Sequence, residues 1–497
     1  MNYLRKLAGQ TAIYGFSSVI ARILNFLLVP FYTRIFIDTA EYGIINELYA
    51  YVAFFIVILT YGMETAFFRF SSKSSDKGIV FSTALIALIC TSFLFLVFIL
   101  LFHPQLSRLI GYGDYKEFLL LLGFVLSIDA VTAIPFARLR LNNQSVKFAL
   151  IKLFNISVNI FFNIFFLVLI PMLIEQGFEN RFFYFIYKPD FLVGYVFVSN
   201  FLASLFTLLF FVKDFYRINY KFSWKLFLSM LLYGFPLLIA GLAGTVNEVL
   251  DRIMLRYRLP DGIDALEQIG IYGANIKIAV LMTLFIQMFR YASEPFFFTS
   301  ENKKYNREMY AEILKYFTIC GVIIFLVISL NIDLFKFIIG PEYREGIVIV
   351  PVVLLGNLML GIYFNLSVWY KLKAMTYFGA IFATFGALIT ISINYYFIPS
   401  YGYVASAWGH LMSYTSMVLL AFFVGRHYYP VPYNIWLLVV YIFSGIALYM
   451  IASRLNIESE FYRVIINNFL MLIFSAFVIF FERKNLYKII KNTEVYK

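Results

Sequence analysis

A chain of 497 residues with 62% hydrophobic and only 14% charged residues, at a mean hydropathy of +0.83, has too few polar groups to cover a soluble surface. This excludes a globular enzyme and a soluble nucleic-acid-binding domain, so the net charge of +12 needs a membrane explanation.

Apolar stretches of about 20 residues, the length that crosses a hydrocarbon core of roughly 30 Å, follow one another along the whole chain. They cover roughly 9–33, 42–66, 79–102, 117–137, 148–172, 191–212, 226–250, 269–292, 311–333, 346–370, 376–397, 403–424, 435–453 and 463–481. The prediction is an all-α polytopic membrane protein of about fourteen transmembrane helices. The opening MNYLRKLAGQ does not read as a cleavable signal, because its apolar continuation is long, contains Arg22 and lacks a small-residue cleavage site. Loops are short, and no Walker motif or glycine-rich phosphate loop occurs. A membrane-embedded polymerase and ATP hydrolysis are therefore not expected, and the chain is predicted not to be an enzyme.

Lys and Arg alternate unevenly between the two sets of loops. Arg5, Lys6, Arg69, Lys73, Arg138, Arg140, Lys213, Lys221, Lys303, Lys304, Lys371, Lys373 and Arg426 fall on one side, and the other side holds about half as many. Both termini are predicted cytoplasmic, and the positive charge is mostly this bias rather than a footprint for nucleic acid. Cys90 and Cys320 read as small packing residues with nothing to place them within bonding distance. His103, His410 and His427 lack metal-ligand spacing, so neither a metal nor a cofactor is expected. The 60 Phe residues read as lipid-facing or packing groups rather than a sugar-stacking site.

The chain also repeats itself at an offset of about 230 residues. Tyr42-Gly43 recurs as Tyr272-Gly273, Ile89-Cys90 as Ile319-Cys320, Phe95-Leu96-Val97 as Phe325-Leu326-Val327, and Glu64 as Glu294. Each copy holds six spans, an even number, so the copies enter the membrane in the same direction and are parallel repeats. The expected division is a first lobe over 1–220, a second over 221–425, and spans 13 and 14 with a tail over 426–497. Parallel six-helix lobes point to a transporter that alternates access to a central site.

Ionisable residues at membrane depth are costly and so mark cavities or partners. Arg22, near the middle of span 1, reads either as a cavity group for an anion such as a phosphate or as the structural partner of Asp129 in span 4. Asn25 lies one turn further on, and Arg22 stands opposite Gly241 in the repeat. Glu47 of span 2 and Lys277 of span 8 occupy equivalent positions with opposite charges. They read either as a cross-lobe gate or as groups snorkelling to the interface. Glu64 and Glu294 close spans 2 and 8 near Arg69 and Arg290, as neutralising pairs or as coupling carboxylates. Asn247, Asp251 and Arg252 near the outer end of span 7 read as outer-gate groups or interfacial anchors.

Several stretches taken together resemble the polysaccharide flippases of the multidrug/oligosaccharidyl-lipid/polysaccharide exporter superfamily. They are LAGQTAIYGFSSVIARILNFLLVPFYTRIF, AEYGIINELYAYVAF, GMETAFFRF, LDRIMLRY, IGIYGANIKIAVLMTLFIQMFRYASEPFF and the Asn394 to Gly402 stretch. The resemblance implies two lobes in a V with two extra C-terminal helices, in the bacterial inner membrane. It also implies transfer of an undecaprenyl-diphosphate-linked oligosaccharide to the periplasmic leaflet, for surface polysaccharide or O-antigen synthesis. Membrane lipid and polysaccharide-assembly enzymes would be its partners. Arg22 matches a position where relatives place a cavity arginine, Glu64 matches an acidic residue ending span 2, and Lys277 and Arg252 fit the pattern without assigned roles. A lipid II-type flippase and a drug or cation antiporter are the alternatives. Coupling to a proton or sodium gradient is left open.

Overall fold

The computed structural model describes the backbone over residues 2–177, 186–216, 221–299, 306–373, 375–455 and 459–495. Side chains at 2–14, 16–18, 292, 294–299, 306, 460 and 484–495 lie outside that description. Helices dominate, as a chain dissolved in lipid requires, because only a helix or a closed barrel satisfies every backbone group without water.

The helices are α1 (Asn2–Ile35), α2 (Thr39–Thr60), α3 (Met63–Lys73), α4 (Lys77–Leu109), α5 (Lys116–Leu141) and α6 (Ser145–Ile164). They continue as α7 (Leu192–Leu209), α8 (Trp224–Arg258), α9 (Ala265–Ile278), α10 (Val280–Thr299) and α11 (Asn306–Leu330). The last are α12 (Val350–Leu366), α13 (Tyr377–Tyr401), α14 (Tyr403–Tyr428), α15 (Ile435–Arg454) and α16 (Glu460–Val495). Among the described residues twelve helical stretches are long and apolar enough to cross a membrane, and the bent pair Ala265–Ile278 and Val280–Tyr291 makes a thirteenth. The first expected span lies on α1.

Helix starts follow from local chemistry. Asp38 Oδ1 accepts from the Ala40 amide at 2.9 Å at the head of α2, and Asp76 caps α4 through the amides of Gly78 and Ile79. Ser223 and Asn434 do the same for α8 and α15. Between α2 and α3 the chain breaks at Tyr61 and Gly62, both left-handed (φ 31° and 71°), and a side chain at Gly62 would meet the Gly234 carbonyl of α8. The break thus lets α8 approach backbone to backbone.

Two compact units emerge. The first comprises Met1–Gly273 with Gly379–Tyr403, the second Ala274–Phe378 with Val404–Lys497. In the first, Met63, Phe67, Val80, Leu85, Ile134 and Met230 bring α3, α4, α5 and α8 into one buried cluster. In the second, α11 is the hub, with the rings of Phe325 and Tyr449 edge to face at 5.8 Å. Lipid removes the usual hydrophobic drive between helices, so close packing and polar contacts hold these units together.

The 46° bend between α9 and α10 has a visible satisfier. The Ala279 carbonyl at the break accepts from Asn357 Nδ2 at 3.1 Å, and Asn357 Oδ1 lies 3.1 Å from His410 Nε2. Cys90 and Cys320 are both free and exposed, which corrects their reading as packing residues. A half-apolar thiol costs little against lipid, so burial was not required.

Candidate functional site

The repeated Tyr-Gly pair builds the centre of the first unit. A β-carbon on Gly43 would lie 1.9 Å from the Leu266 carbonyl oxygen, and one on Gly270 1.9 Å from that of Thr39. These two contacts bring the backbones of α2 and α9 together where the helices cross, and Gly273 leaves room for the Asn46 side chain. The two tyrosines flank charges on α8. The Tyr272 hydroxyl donates to the Asp251 carboxylate, and the charge of Arg252 acts on Tyr42.

Below this crossing lies a buried polar layer from α8 and α13. Asn247 Nδ2 donates to the Ala383 carbonyl at 3.0 Å, and Thr390 Oγ1 donates to Asn247 Oδ1 at 3.1 Å. Asp251 also accepts the Arg252 amide at 2.8 Å, while Arg252 Nη1 donates to the Glu248 carbonyl at 3.2 Å. Arg252 is only 8% exposed, and among the described residues its Nε–H has no hydrogen-bond partner. Such an orphan donor is costly to bury.

Glu47 is fully buried one turn beyond Gly43. Tyr112, in the connection between α4 and α5, donates to Glu47 Oε2 at 2.5 Å, Tyr51 donates to Oε1 at 3.5 Å, and Arg256 Nε lies 3.8 Å away. The hydroxyls of Tyr51 and Tyr257 are 3.1 Å apart, which draws the end of α8 into the same lock. Lys277, set level with Glu47 by the repeat, belongs to the second unit.

In the first turn of α3, Glu64 pairs with Arg140 of α5. Arg69, the neighbour one turn away in sequence, instead sits over the Tyr233 ring at 4.3 Å. Arg138 pairs with Asp214 at 3.0 Å. Asp129 accepts from Ser204 Oγ at 2.8 Å and feels the charge of Lys152 on α6. These are the partners seen at the carboxylate that the sequence offered to Arg22. Arg22 and Asn25 are both exposed on α1. An exposed guanidinium in an apolar helix must open on water or headgroups rather than hydrocarbon.

In the second unit Arg290 stacks over the Phe364 ring at 4.3 Å, and its charge acts on Tyr370. The Glu294 side chain lies outside the described residues. Among the described residues no group of three His, Cys, Asp or Glu could hold a metal. Sequence reasoning missed Arg256, Tyr112 and Lys152. Arg256 and Tyr112 sit at helix ends, where interfacial residues are common, and Lys152 had a signal in its recurrence with Asn155, Asn159 and Asn163 along one helix.

The architecture is shared with solved membrane transporters. A structure titled "Lipid II flippase MurJ, inward closed conformation" superposes with a TM-score of 0.69 at 19% identity, over 95% of this chain and 99% of that one. An inward-facing multidrug resistance transporter of the MATE family gives 0.61 at 14% identity, over 84% and 94%. A superfamily transporter from Pyrococcus furiosus, whose title reports a binding pocket of reversed polarity, gives 0.56 at 14% identity, over 85% and 94%. The fold is therefore shared with the solved MurJ and MATE structures, and the many long apolar helices make the protein an integral membrane protein. No curated protein sequence matches the chain. The family profile described as "Polysaccharide biosynthesis protein" matches residues 7–301, and the chain belongs to that family.

Proposed function

We propose that this protein carries an undecaprenyl-diphosphate-linked oligosaccharide from the cytoplasmic to the periplasmic leaflet of a bacterial inner membrane, for surface polysaccharide or O-antigen assembly. A diphosphate with attached sugars cannot cross hydrocarbon unaided, so it needs a wet passage with positive charge. The observation that carries the reading is Arg22, exposed on α1 beside the exposed Asn25, in a chain of the polysaccharide biosynthesis family. Its planar fork of donors suits a phosphate better than a point charge would. The excess of Lys and Arg in one set of loops supports cytoplasmic termini.

The sugar chain rides with the headgroup, and the polyprenyl tail stays in lipid. Transport against a concentration difference needs a gradient, and a proton or sodium gradient is the source consistent with a chain lacking a nucleotide-binding motif. A lipid II-type cargo is the neighbouring reading, supported by the likeness to MurJ. A drug or cation antiporter would favour an acidic passage, and Arg22 speaks against it.

The test is Arg22→Gln in a strain deleted for the gene. Loss of surface glycan with the protein inserted and abundant is the expected result. Unchanged glycan export would remove the leading site and, with it, the reading.

A further inference from the structure

The second unit carries a cleft that the cargo and gate arguments leave unused. It measures about 610 Å³, within the range of about 300–1,000 Å³ typical of small-molecule sites, and opens between α10 and α11. Both walls belong to that one unit.

One wall is a single row on α11, made by Glu308, Glu312, Tyr316 and Cys320, each one helical turn from the next. The row grades from two carboxylates through a phenol to a thiol over about 18 Å, at 1.5 Å per residue. The other wall is aromatic. The Phe317 ring stacks on Phe285 of α10 with centroids 5.2 Å apart, and its centroid lies 4.7 Å from that of Phe289. The cleft is thus polar at one end and apolar at the other, which is the pattern of an amphiphile.

Charge decides which amphiphile. The apolar span of α11 begins at Arg307, so Glu308 in its first turn and Glu312 one turn on stand at headgroup level, both exposed. The Lys315 ammonium lies 3.8 Å from Glu312, but it is committed to Glu482 at 2.6 Å. Arg307, also exposed, sits 4.7 Å over the Tyr429 ring. The Tyr316 hydroxyl is buried and, among the described residues, has no hydrogen-bond partner. Such an orphan is costly unless something else satisfies it.

The internal repeat does not demand this row. At an offset of 230 the first copy has Gly78, Ser82, Ile86 and Cys90, and the Ser82 hydroxyl donates to the Lys221 carbonyl at 2.8 Å. Only the thiol is shared, so the acids and the phenol belong to the second copy alone.

We propose that the cleft holds a phospholipid with a primary-amine head, phosphatidylethanolamine, with one acyl chain lying along Phe285, Phe289 and Phe317 toward Cys320. Its ammonium offers three N–H donors to the Glu308 and Glu312 carboxylates, as charge-assisted hydrogen bonds. Arg307 supplies a cation for the phosphate, and an ester carbonyl gives the Tyr316 hydroxyl an acceptor. A choline head has no N–H to donate, and a glycerol head has no positive charge, so each lacks part of the match. This lipid is a resident of the fold rather than its cargo, and the proposal stands or falls apart from the flippase reading.

The test uses purified full-length protein in nanodiscs and three photoactivatable phospholipids. They share a diazirine acyl chain and differ only in an ethanolamine, choline or glycerol head. The ethanolamine probe should crosslink within 285–289 and 309–320 several-fold more than the other two. Glu308→Gln combined with Glu312→Gln should abolish that preference. Cys320→Phe, which blocks the deep end and leaves the carboxylates, should reduce crosslinking in the cleft, and it keeps the test usable if the paired glutamines do not fold. Undecaprenyl phosphate in excess should not displace the probe. Equal crosslinking by the three heads, a preference that survives both glutamines, unchanged labelling in Cys320→Phe or crosslinks mapping outside the cleft would each overturn the proposal. Displacement by undecaprenyl phosphate would overturn it too, and would hand the cleft to the cargo's tail. Loss of glycan export in Arg22→Gln with these results negative would leave the flippase standing without a resident lipid.

Discussion

Glu47 and Arg256 belong to different copies of the internal repeat, and their side chains meet 3.8 Å apart over a carboxylate with no exposed surface. The register alone set Glu47 level with its equivalent, Lys277, but α8 delivers a different cation from the end of its own helix. Tyr112 completes the arrangement, so the buried carboxylate is both paired and hydrogen-bonded. That is the condition under which a charge tolerates burial.

The pair should therefore couple in a double-mutant cycle. Arg256→Met strips the cation but leaves the phenol, so a loss of about 1–3 kcal/mol is expected, the cost of an under-satisfied buried group. Glu47→Gln keeps the shape and should cost less. The double variant should lose less than the sum of the two, read from unfolding in detergent. Strict additivity would show that the contact carries no energy.

The glycine crossing gives a second expectation. Gly43→Ala and Gly270→Ala each push a methyl group against a carbonyl oxygen of the facing helix, at 1.9 Å before relaxation. Separating the helices should cost at least about 1–3 kcal/mol, the range for overpacked sites. Gly244→Ala, with nothing within 4 Å of the added carbon, should be neutral or slightly stabilising. Equal melting temperatures for Gly43→Ala and Gly244→Ala would contradict the crossing.

The same glycines show how much was legible. Tyr42-Gly43 and Tyr272-Gly273 stood out as a repeat because both copies serve the packing of α2 and α9, and the span positions followed from apolar length alone. Asp129, Asp251 and Glu64 were found because a charge inside an apolar stretch has few innocent explanations. Their partners were not legible: Glu64 takes Arg140 rather than the adjacent Arg69, since the partner is set by how α3 crosses α5. Helical spacing reports neighbours on one helix and is silent about the helix opposite.

Tyr112 supplies a pH expectation. Its phenol is pushed up from the ordinary range, first by burial and then by the neighbouring Glu47 carboxylate. The folded protein thus holds this proton more tightly than the unfolded chain, whose phenols titrate near about 10. Its contribution should be complete below that pH and fade as pH climbs toward the raised folded value. Melting temperature should fall more steeply above about pH 10 in the wild type than in Tyr112→Phe. Parallel profiles would mean that Tyr112 does not hold its proton through Glu47.

The last two helices have no counterpart in the repeat, so something must decide what they move with. Lys315 of α11 reaches Glu482 of α16 at 2.6 Å, and Tyr441 of α15 donates to the same carboxylate at 2.9 Å. Glu482 is 2% exposed, which makes this a buried pair rather than a surface one. At the opposite end of α16, Arg463 meets Asp333 at 2.7 Å and Asn467 donates to the Leu330 carbonyl. Clasped at both ends, α15 and α16 should travel with α11 as one body. Lys315→Met leaves Glu482 as a buried, under-compensated anion and should cost about 3–5 kcal/mol. Lys315→Met combined with Glu482→Leu removes both charges and should recover most of that loss, because matched apolar replacements of a buried pair are often neutral. Unfolding in detergent reads both effects, and a double variant no more stable than Lys315→Met alone would show that packing, not charge, fastens the pair of helices.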